Sequence, residues 1–328
     1  MGAIKRLFLL LLCWVPAFGS ASDPPRAPVR CPRSCMEGLL DLYVAALIRH
    51  DPSSVPFSKY VRFTENTQQL SLGEGLWATA SEAPANFKIY GVDPETNQGG
   101  LIAAMKEEGT PVLFVLRLKV VNGWIIEAEH LIARNLADEA LPNLLTPRAA
   151  LLSDVSSAER TPREAMINAV DNYFDGIERG DGSLAPFADD CERHENGRQT
   201  TLTRVTRTAV GPPPVSAHEI FDLLSSYSCK AQFDTGVFAY IFRIWPRRIV
   251  MVDEQKGIVW AFPTFAEGGG ARGTVKIKGI AGVDTVSIRP VARSVVGLEI
   301  FKIHAGKIHE VEGAGGVDLP YGSTSGWN

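Results

Sequence analysis

The feature that most constrains this chain is that it repeats itself. Residues 41–51 read DLYVAALIRHD and residues 171–181 read DNYFDGIERGD. Asp41/Asp171, Tyr43/Tyr173, Arg49/Arg179 and Asp51/Asp181 stand at one offset of 130 residues. The register continues without a gap through Pro56-Phe57 and Pro186-Phe187, Glu65-Asn66 and Glu195-Asn196, Gln69/Gln199 and Leu72/Leu202. A gap-free match over roughly 30 positions marks a duplicated domain and sets the architecture before any motif is weighed.

Lys5 and Arg6 precede an apolar run from Leu7 to Phe18, and Gly19-Ser20-Ala21 supplies small residues. This is the pattern of a secretory signal peptide over residues 1–21, cut after Ala21. The run is too short to span a bilayer. No later stretch is long and apolar enough to do so, and no membrane association is expected after cleavage. About 300 residues remain, enough for two domains of about 150. The expected boundaries are 22–140, a connector at 141–160 carrying Pro142 and Pro147, and 161–328. Apolar residues make up 45% of the chain, ample for two cores. The net charge is −4 with no basic stripe, which argues against a nucleic-acid partner.

Four cysteines follow the cleavage site: Cys31, Cys35, Cys191 and Cys229. An even number in an exported chain suggests two disulfides, with three connectivities open. The favoured pairing is Cys31–Cys35 as a local clasp and Cys191–Cys229 within the second repeat. No Asn-x-Ser/Thr sequon occurs. Export to a periplasm or secretion is the expected destination.

Each repeat opens with a helix. Ser34 and Glu37, then Thr161 and Glu164 around Pro162, have capping-box spacing. Leu39, Leu40, Tyr43, Leu47 and Ile48 form one apolar stripe; Ile167, Val170, Phe174 and Ile177 form its counterpart. Strands follow. Val112–Val121, Asn122-Gly123 and Trp124–Ile132 read as a long hairpin. Val295–Ile303, a turn at His304-Ala305-Gly306, and Lys307–Val311 read the same way. The expected fold is α+β: in each half a helix packed on a curled antiparallel sheet, a cone open at one end, with the two cones arranged as a pseudo-dimer.

Tyr43-Val44-Ala45-Ala46-Leu47 followed by Asp51 resembles the first helix of ketosteroid isomerases and SnoaL-like polyketide cyclases, of the nuclear transport factor 2-like superfamily. With ENxxQ in each half, VDEQKGIV at 252–259 and PYGSTSGW at 320–327, the whole chain is similar to exported two-domain members of that superfamily. The tandem arrangement also resembles cofactor-independent bacterial lyases that release formaldehyde from lignin-derived diarylpropanes.

In the isomerases a first-helix tyrosine donates to a developing oxyanion, and the resemblance places Tyr43 and Tyr173 in that role. Each is equally readable as a core tyrosine. The isomerase base is an aspartate on the next strand, but here the sequence reads Thr64-Glu65-Asn66 and His194-Glu195-Asn196. Alternate strand residues share a face. His194 is therefore a candidate base, with Asn196, and Asn66 in the first half, orienting substrate. The competing reading of His194 is a surface residue near a turn. Arg117 interrupts an apolar strand, either as an anchor for a phenolate or carboxylate or as a charged sheet edge. Glu127, Glu129, Glu310 and Glu312 alternate as a solvated face does, which puts His130 on the opposite, pocket-lining face.

There is no HExxH, no CxxC pair and no phosphate loop, so neither metal nor cofactor is expected. Together these features point to a cofactor-independent lyase or isomerase for a small, apolar, oxygenated compound. A lignin-derived phenolic is the sharpest version, and a homodimer is compatible with it. The alternative is a non-catalytic exported carrier of a hydrophobic small molecule.

Overall fold

The computed structural model describes residues 30–204, 216–289 and 291–327. The expected signal peptide lies outside the described residues. The first half contains α1 (Arg33–Ile48), β1 (Phe57–Glu65), β2 (Gln68–Gln69), α2 (Leu76–Thr79), β3 (Ala80–Glu82), β4 (Lys88–Asp93), β5 (Gln98–Glu107), β6 (Thr110–Val121) and β7 (Trp124–Ala133). Short helical turns and α3 (Ala149–Leu152) lead to α4 (Arg163–Arg179). Then come β8 (Phe187–Glu195), β9 (Arg198–Gln199), α5 (Ala217–Leu224), α6 (Cys229–Asp234), β10 (Ile241–Asp253), β11 (Ile258–Glu267), β12 (Thr274–Lys276), β13 (Thr285–Ser287), β14 (Arg293–His304) and β15 (Lys307–Leu319).

The two long helices form for the same reason. α1 buries Met36, Leu40, Tyr43, Val44 and Leu47, and α4 buries Met166, Val170, Tyr173, Phe174 and Ile177, each an apolar stripe at helical spacing. Their starts differ from expectation. Pro32 and Pro162 occupy the N-cap positions, without a side-chain cap. Ser34 lies inside α1, and the Thr161 hydroxyl instead accepts from Gly306 N at 3.0 Å. A proline fixes the entry angle by itself, so the hydroxyl is free to tie down a neighbouring turn. A capping box does form on α5, from Ser216 and Glu219.

The main sheets share one plan. In the first, the order is β2-β1-β7-β6-β5-β3 with β4 also on β5; in the second it is β10-β11-β14-β15-β8-β9. β1 runs parallel to β7 and β8 parallel to β15, while the remaining pairs are antiparallel. Both hairpins carry a register shift near the turn, at Lys119/Val120 and Lys302/Ile303. Such bulges bend a strand and curl the sheet around its helix. The second hairpin turns at Ala305-Gly306, both left-handed, and β15 runs on to Leu319, well past the expected end.

Each helix fills the hollow of its own sheet, giving two separate cores. A third apolar cluster joins the backs of the sheets: Ile89, Ile102, Leu113, Val115 and Leu131 meet Met251, Ile258, Trp260, Leu298 and Ile300. Glycine permits this approach. A Cβ at Gly91 or Gly100 would lie 2.3 or 2.6 Å from the Trp260 ring. Around the cluster the polar contacts are reciprocal. Asp93 accepts from Val252 N at 3.1 Å and pairs with Arg163; Asp253 accepts from Val92 N at 3.0 Å and pairs with Arg33. Arg33 and Arg163 are themselves 130 residues apart.

Both favoured disulfides are present, Cys31–Cys35 and Cys191–Cys229. The second ties β8 to α6 across 38 residues of sequence. Replacing both of its cysteines by alanine should lower stability by about 2–4 kcal/mol through the freer unfolded chain. Urea unfolding of the double variant measures this, and an unchanged midpoint would contradict it.

Candidate active site

Strand register aligns the two cones residue by residue. His130 faces Glu65 on β1 and Leu116 on β6. Gly313 faces Glu195 on β8 and Glu299 on β14. Gly313 therefore stands where the first cone has His130, and Glu299 where it has Leu116. By the same registers Gly297 and Gly315 replace Phe114 and Ile132, and Arg193 replaces Phe63.

These exchanges leave the first hollow filled and the second open. In the first, the His130 ring meets Phe114 and Phe63 edge-on, with centroids 4.8 and 4.9 Å away. The Tyr43 hydroxyl accepts from Trp77 Nε1 at 3.2 Å and lies 2.8 Å from His130 Nε2. Burial holds the Tyr43 phenol neutral by raising its pKa, and it lowers that of His130 despite nearby Glu65. Glu65 accepts from Leu76 N at 2.7 Å and pairs with Arg134 at 3.1 Å. Tyr43, His130 and their neighbours are thus a packed interior, in which His130 Nδ1, 3.7 Å from Glu65, has no hydrogen-bond partner among the described residues.

In the second cone the corresponding volume belongs to a cavity of about 490 Å³. Its walls are apolar in part, from Ile177, Phe221, Phe238 and Phe265, with Gly297, Gly313 and Gly315 leaving the floor of β14 and β15 bare. Arg193 and Glu299 line it too. Arg193 donates to Gln232 at 3.0 Å and to Glu195 at 2.8 Å. Three buried atoms meet here with no hydrogen-bond partner among the described residues: Arg193 Nε, Glu299 Oε2 and the Tyr173 hydroxyl. Burial pushes the Glu299 carboxyl up to about 7, against the opposing pull of Arg193 and the Tyr173 hydroxyl. Burial also raises Tyr173 well above the usual phenol range.

A carboxyl poised near neutrality, in an apolar hollow beside a fixed guanidinium, can take a proton from carbon or oxygen and give it back. Tyr173 is not on the cavity wall. Its hydroxyl influences Glu299 and Arg193 electrostatically.

Several sequence-based assignments change. His194 does not face the cavity. Its side chain lies on the back of β8, bonded to Glu192 at 2.7 Å, and burial followed by Arg148 lowers it to about 4. The alternation of β8 is as expected, but the inward face carries Cys191, Arg193 and Glu195. The bond from Cys191 to α6 fixes that parity.

Asn66 and Asn196 are left-handed turn residues, not substrate ligands. Asn196 donates to Gly315 O at 2.8 Å and accepts from Gly315 N at 2.9 Å; Asn66 accepts from Ile132 N at 2.8 Å. Each clasps the strand that runs beside it. Asn196 still borders the cavity, but both arms of its amide are engaged by backbone.

Arg117 is neither a ligand anchor nor an edge. It is buried on the back of the first sheet, bonded to Glu129 at 2.7 Å, Gln98 at 2.8 Å and Glu127 at 2.8 Å. Glu129 and Glu312 are each 2% exposed, so the alternating glutamates are not a solvated face. They are the acidic partners of Arg117, Arg248 and Arg148. His130 does point inward as expected, into the filled cone.

The residue that sequence reasoning missed is Glu299. Its signal was available: in VVGLEIFKIH the lone acid shares strand parity with Phe301 and Ile303 and so faces inward.

A family model described as a domain of unknown function, DUF8021, matches residues 159–314, the span that holds α4 and most of the cavity. No curated protein matches the chain. Among solved structures, an NTF2-like protein of unknown function from Cytophaga hutchinsonii aligns at 11% identity and a TM-score of 0.25, covering 30% of this chain and 89% of its own. AclR from Streptomyces galilaeus aligns at 15% identity and a TM-score of 0.20, covering 33% of this chain and 93% of its own.

Proposed function

We propose that this is an exported, cofactor-independent proton-transfer enzyme, a lyase or isomerase, whose reaction takes place in the second cone. In this reading the chain is a duplicated nuclear transport factor 2-like cone, residues 22–140 and 161–328, paired as a pseudo-dimer. The first copy serves as scaffold and the second as the site. Reciprocal contacts of Asp93 and Asp253 support the pairing, and two disulfides fit an oxidising destination. The observation that carries the chemistry is Glu299, a half-buried residue on a cavity wall whose Oε2 is buried and unpartnered among the described residues.

Glu299 as carboxylate removes a proton from the carbon next to a carbonyl of a small, largely apolar compound. Arg193 holds the oxygen on which charge develops. Return of the proton to a different carbon gives an isomerase. Departure of hydroxide from the adjacent carbon, taken up with a proton as water, gives a lyase. Formaldehyde is released when Glu299 instead takes the proton of a hydroxymethyl O–H, the C–C bond breaks, and its electron pair forms a C=C bond as hydroxide leaves the next carbon. Phenolic diarylpropanes are the narrowest substrate class within this reading.

Two assays test it: deuterium uptake from solvent into the α-carbon of simple ketones, and formaldehyde release from phenolic diarylpropanes. Either activity should respond to Tyr173→Phe through its pH profile. The hydroxyl favours the ionised form of Glu299, so its loss moves the rising limb to higher pH. Tyr43→Phe, in the filled cone, should leave that profile in place. Identical profiles for the two variants would remove Tyr173 from the site. Ligand binding with no exchange and no release would leave a carrier instead of an enzyme.

A further inference from the structure

The first cone contains a record of what the second can hold. Phe114, His130 and Ile132 project into the first hollow from adjacent strands, and all three positions are glycine in the second. Phe114 and His130 stand edge-to-face with an interplanar angle of 87°, and Phe63 closes the other side of the imidazole. The second hollow keeps aromatic walls at Phe238 and Phe265 but has lost the rings that would fill it. What it gains in exchange is polar: Arg193 for Phe63 and Glu299 for Leu116. The same fold thus packs rings of its own chain in one copy and exposes a ring-sized space, with a charged end, in the other.

We propose that the ligand of the second cone is an aryl ketone whose ring takes the place that Phe114 and His130 occupy in the first, with its oxygen on Arg193 and its acidic α-C–H beside Glu299. This rests on the reading of the second cavity as the reaction site and specifies its substrate. Edge-to-face packing favours a flat ring with a polarised rim over a saturated ring of similar size. Arg193 adds a cation that a π-face accepts and a cyclohexyl group does not.

Refilling the space is sterically open. A Cβ at Gly297 meets nothing nearer than 3.6 Å, one at Gly313 nothing nearer than 3.4 Å, and neither glycine has a left-handed backbone. Gly297→Phe and Gly313→His rebuild the first cone's filling in the second.

The test is direct binding of acetophenone and cyclohexyl methyl ketone to the mature protein, by ligand-observed NMR and calorimetry. Acetophenone is expected to bind at least about tenfold tighter. Each refilling variant is expected to weaken it by at least about tenfold. Gly297→Val, a smaller filler, covers the case in which the phenylalanine variant fails to fold, and it should weaken binding by a lesser factor. Equal affinity for the two ketones, no binding of acetophenone, or folded variants that bind as the parent does would each overturn the proposal. Binding requires no proton transfer, so these outcomes are separate from those of the exchange assay. A glutamate-dependent exchange of a non-aryl ketone would keep the chemistry and discard this substrate class.

Discussion

Glu129→Ala should destabilise the protein by about 3–5 kcal/mol, the largest loss expected from any single truncation on the back of the sheets. Glu129 is 2% exposed and holds two guanidiniums. Arg117 Nε reaches it at 2.7 Å from the neighbouring strand, and Arg248 binds both carboxylate oxygens, at 3.0 and 2.9 Å, from the other cone. The Trp327 ring lies over this cluster, 4.8 Å from Arg117. Removing the carboxylate leaves two like charges facing each other out of water, with Glu127 as the nearest remaining acid. Charge reversal elsewhere on the surface has no such consequence.

The pH dependence follows from the sign of the shift. Burial alone would raise Glu129, but Arg248 and Arg117 outweigh it and hold the carboxyl below its ordinary value of 4.5. A lowered folded-state pKa gives stability that is complete above the unfolded value and fades as pH falls through the folded one. The gap between parent and Glu129→Ala in urea midpoints should therefore be full at pH 7 and narrow below about 4.5. A gap that is small at pH 7, or that widens in acid, would show that the cluster does not hold the two cones together.

How much of this was legible in the residues depended on whether the signal was periodic or pairwise. The 130-residue offset carried both helices, both hairpins and the place of Tyr43 and Tyr173, because the two halves of the sequence repeat their apolar spacing. The disulfides followed because each had a partner of low contact order or within one repeat. The cavity was not legible from motif matching, because it is made of subtractions. Gly297, Gly313 and Gly315 carry no chemistry, and they become informative only when register sets them opposite Phe114, His130 and Ile132.

The glutamates misled for a related reason. Period-two acids mark a solvated strand face in an isolated sheet, but here that face is pressed against a second sheet and the acids meet arginines. His194 was drawn to the wrong face by its chemistry. A histidine next to a family-type position attracts attention. The parity of Cys191 would have corrected this, since a cysteine bonded to a helix inside the cone must point inward, and Arg193 and Glu195 share its face.

Glu299→Gln should lower turnover by about 100- to 10,000-fold while raising stability at neutral pH and above. The two effects have one cause. Glutamine keeps the shape and one hydrogen-bonding oxygen but cannot accept a proton from carbon. In the parent, activity should climb with pH as the carboxyl ionises, with the midpoint of the rising limb set by its value of about 7. In stability the sign is reversed. The folded-state pKa lies above the ordinary 4.5, so the folded protein holds its proton while the unfolded chain releases it. Folding is then progressively disfavoured as pH rises from 4.5 to about 7. At about 1.4 kcal/mol per unit, the burden is on the order of 3 kcal/mol, and it is complete above that range. Glutamine carries no such burden, so the variant should melt higher than the parent at pH 8 and much closer to it at pH 4. Exchange rates and thermal melts on the same two proteins read both halves of the prediction. A variant that is inactive and also less stable at pH 8 would mean that Glu299 is a structural acid with a partner. A variant that is more stable at pH 8 and fully active would mean that the proton goes elsewhere.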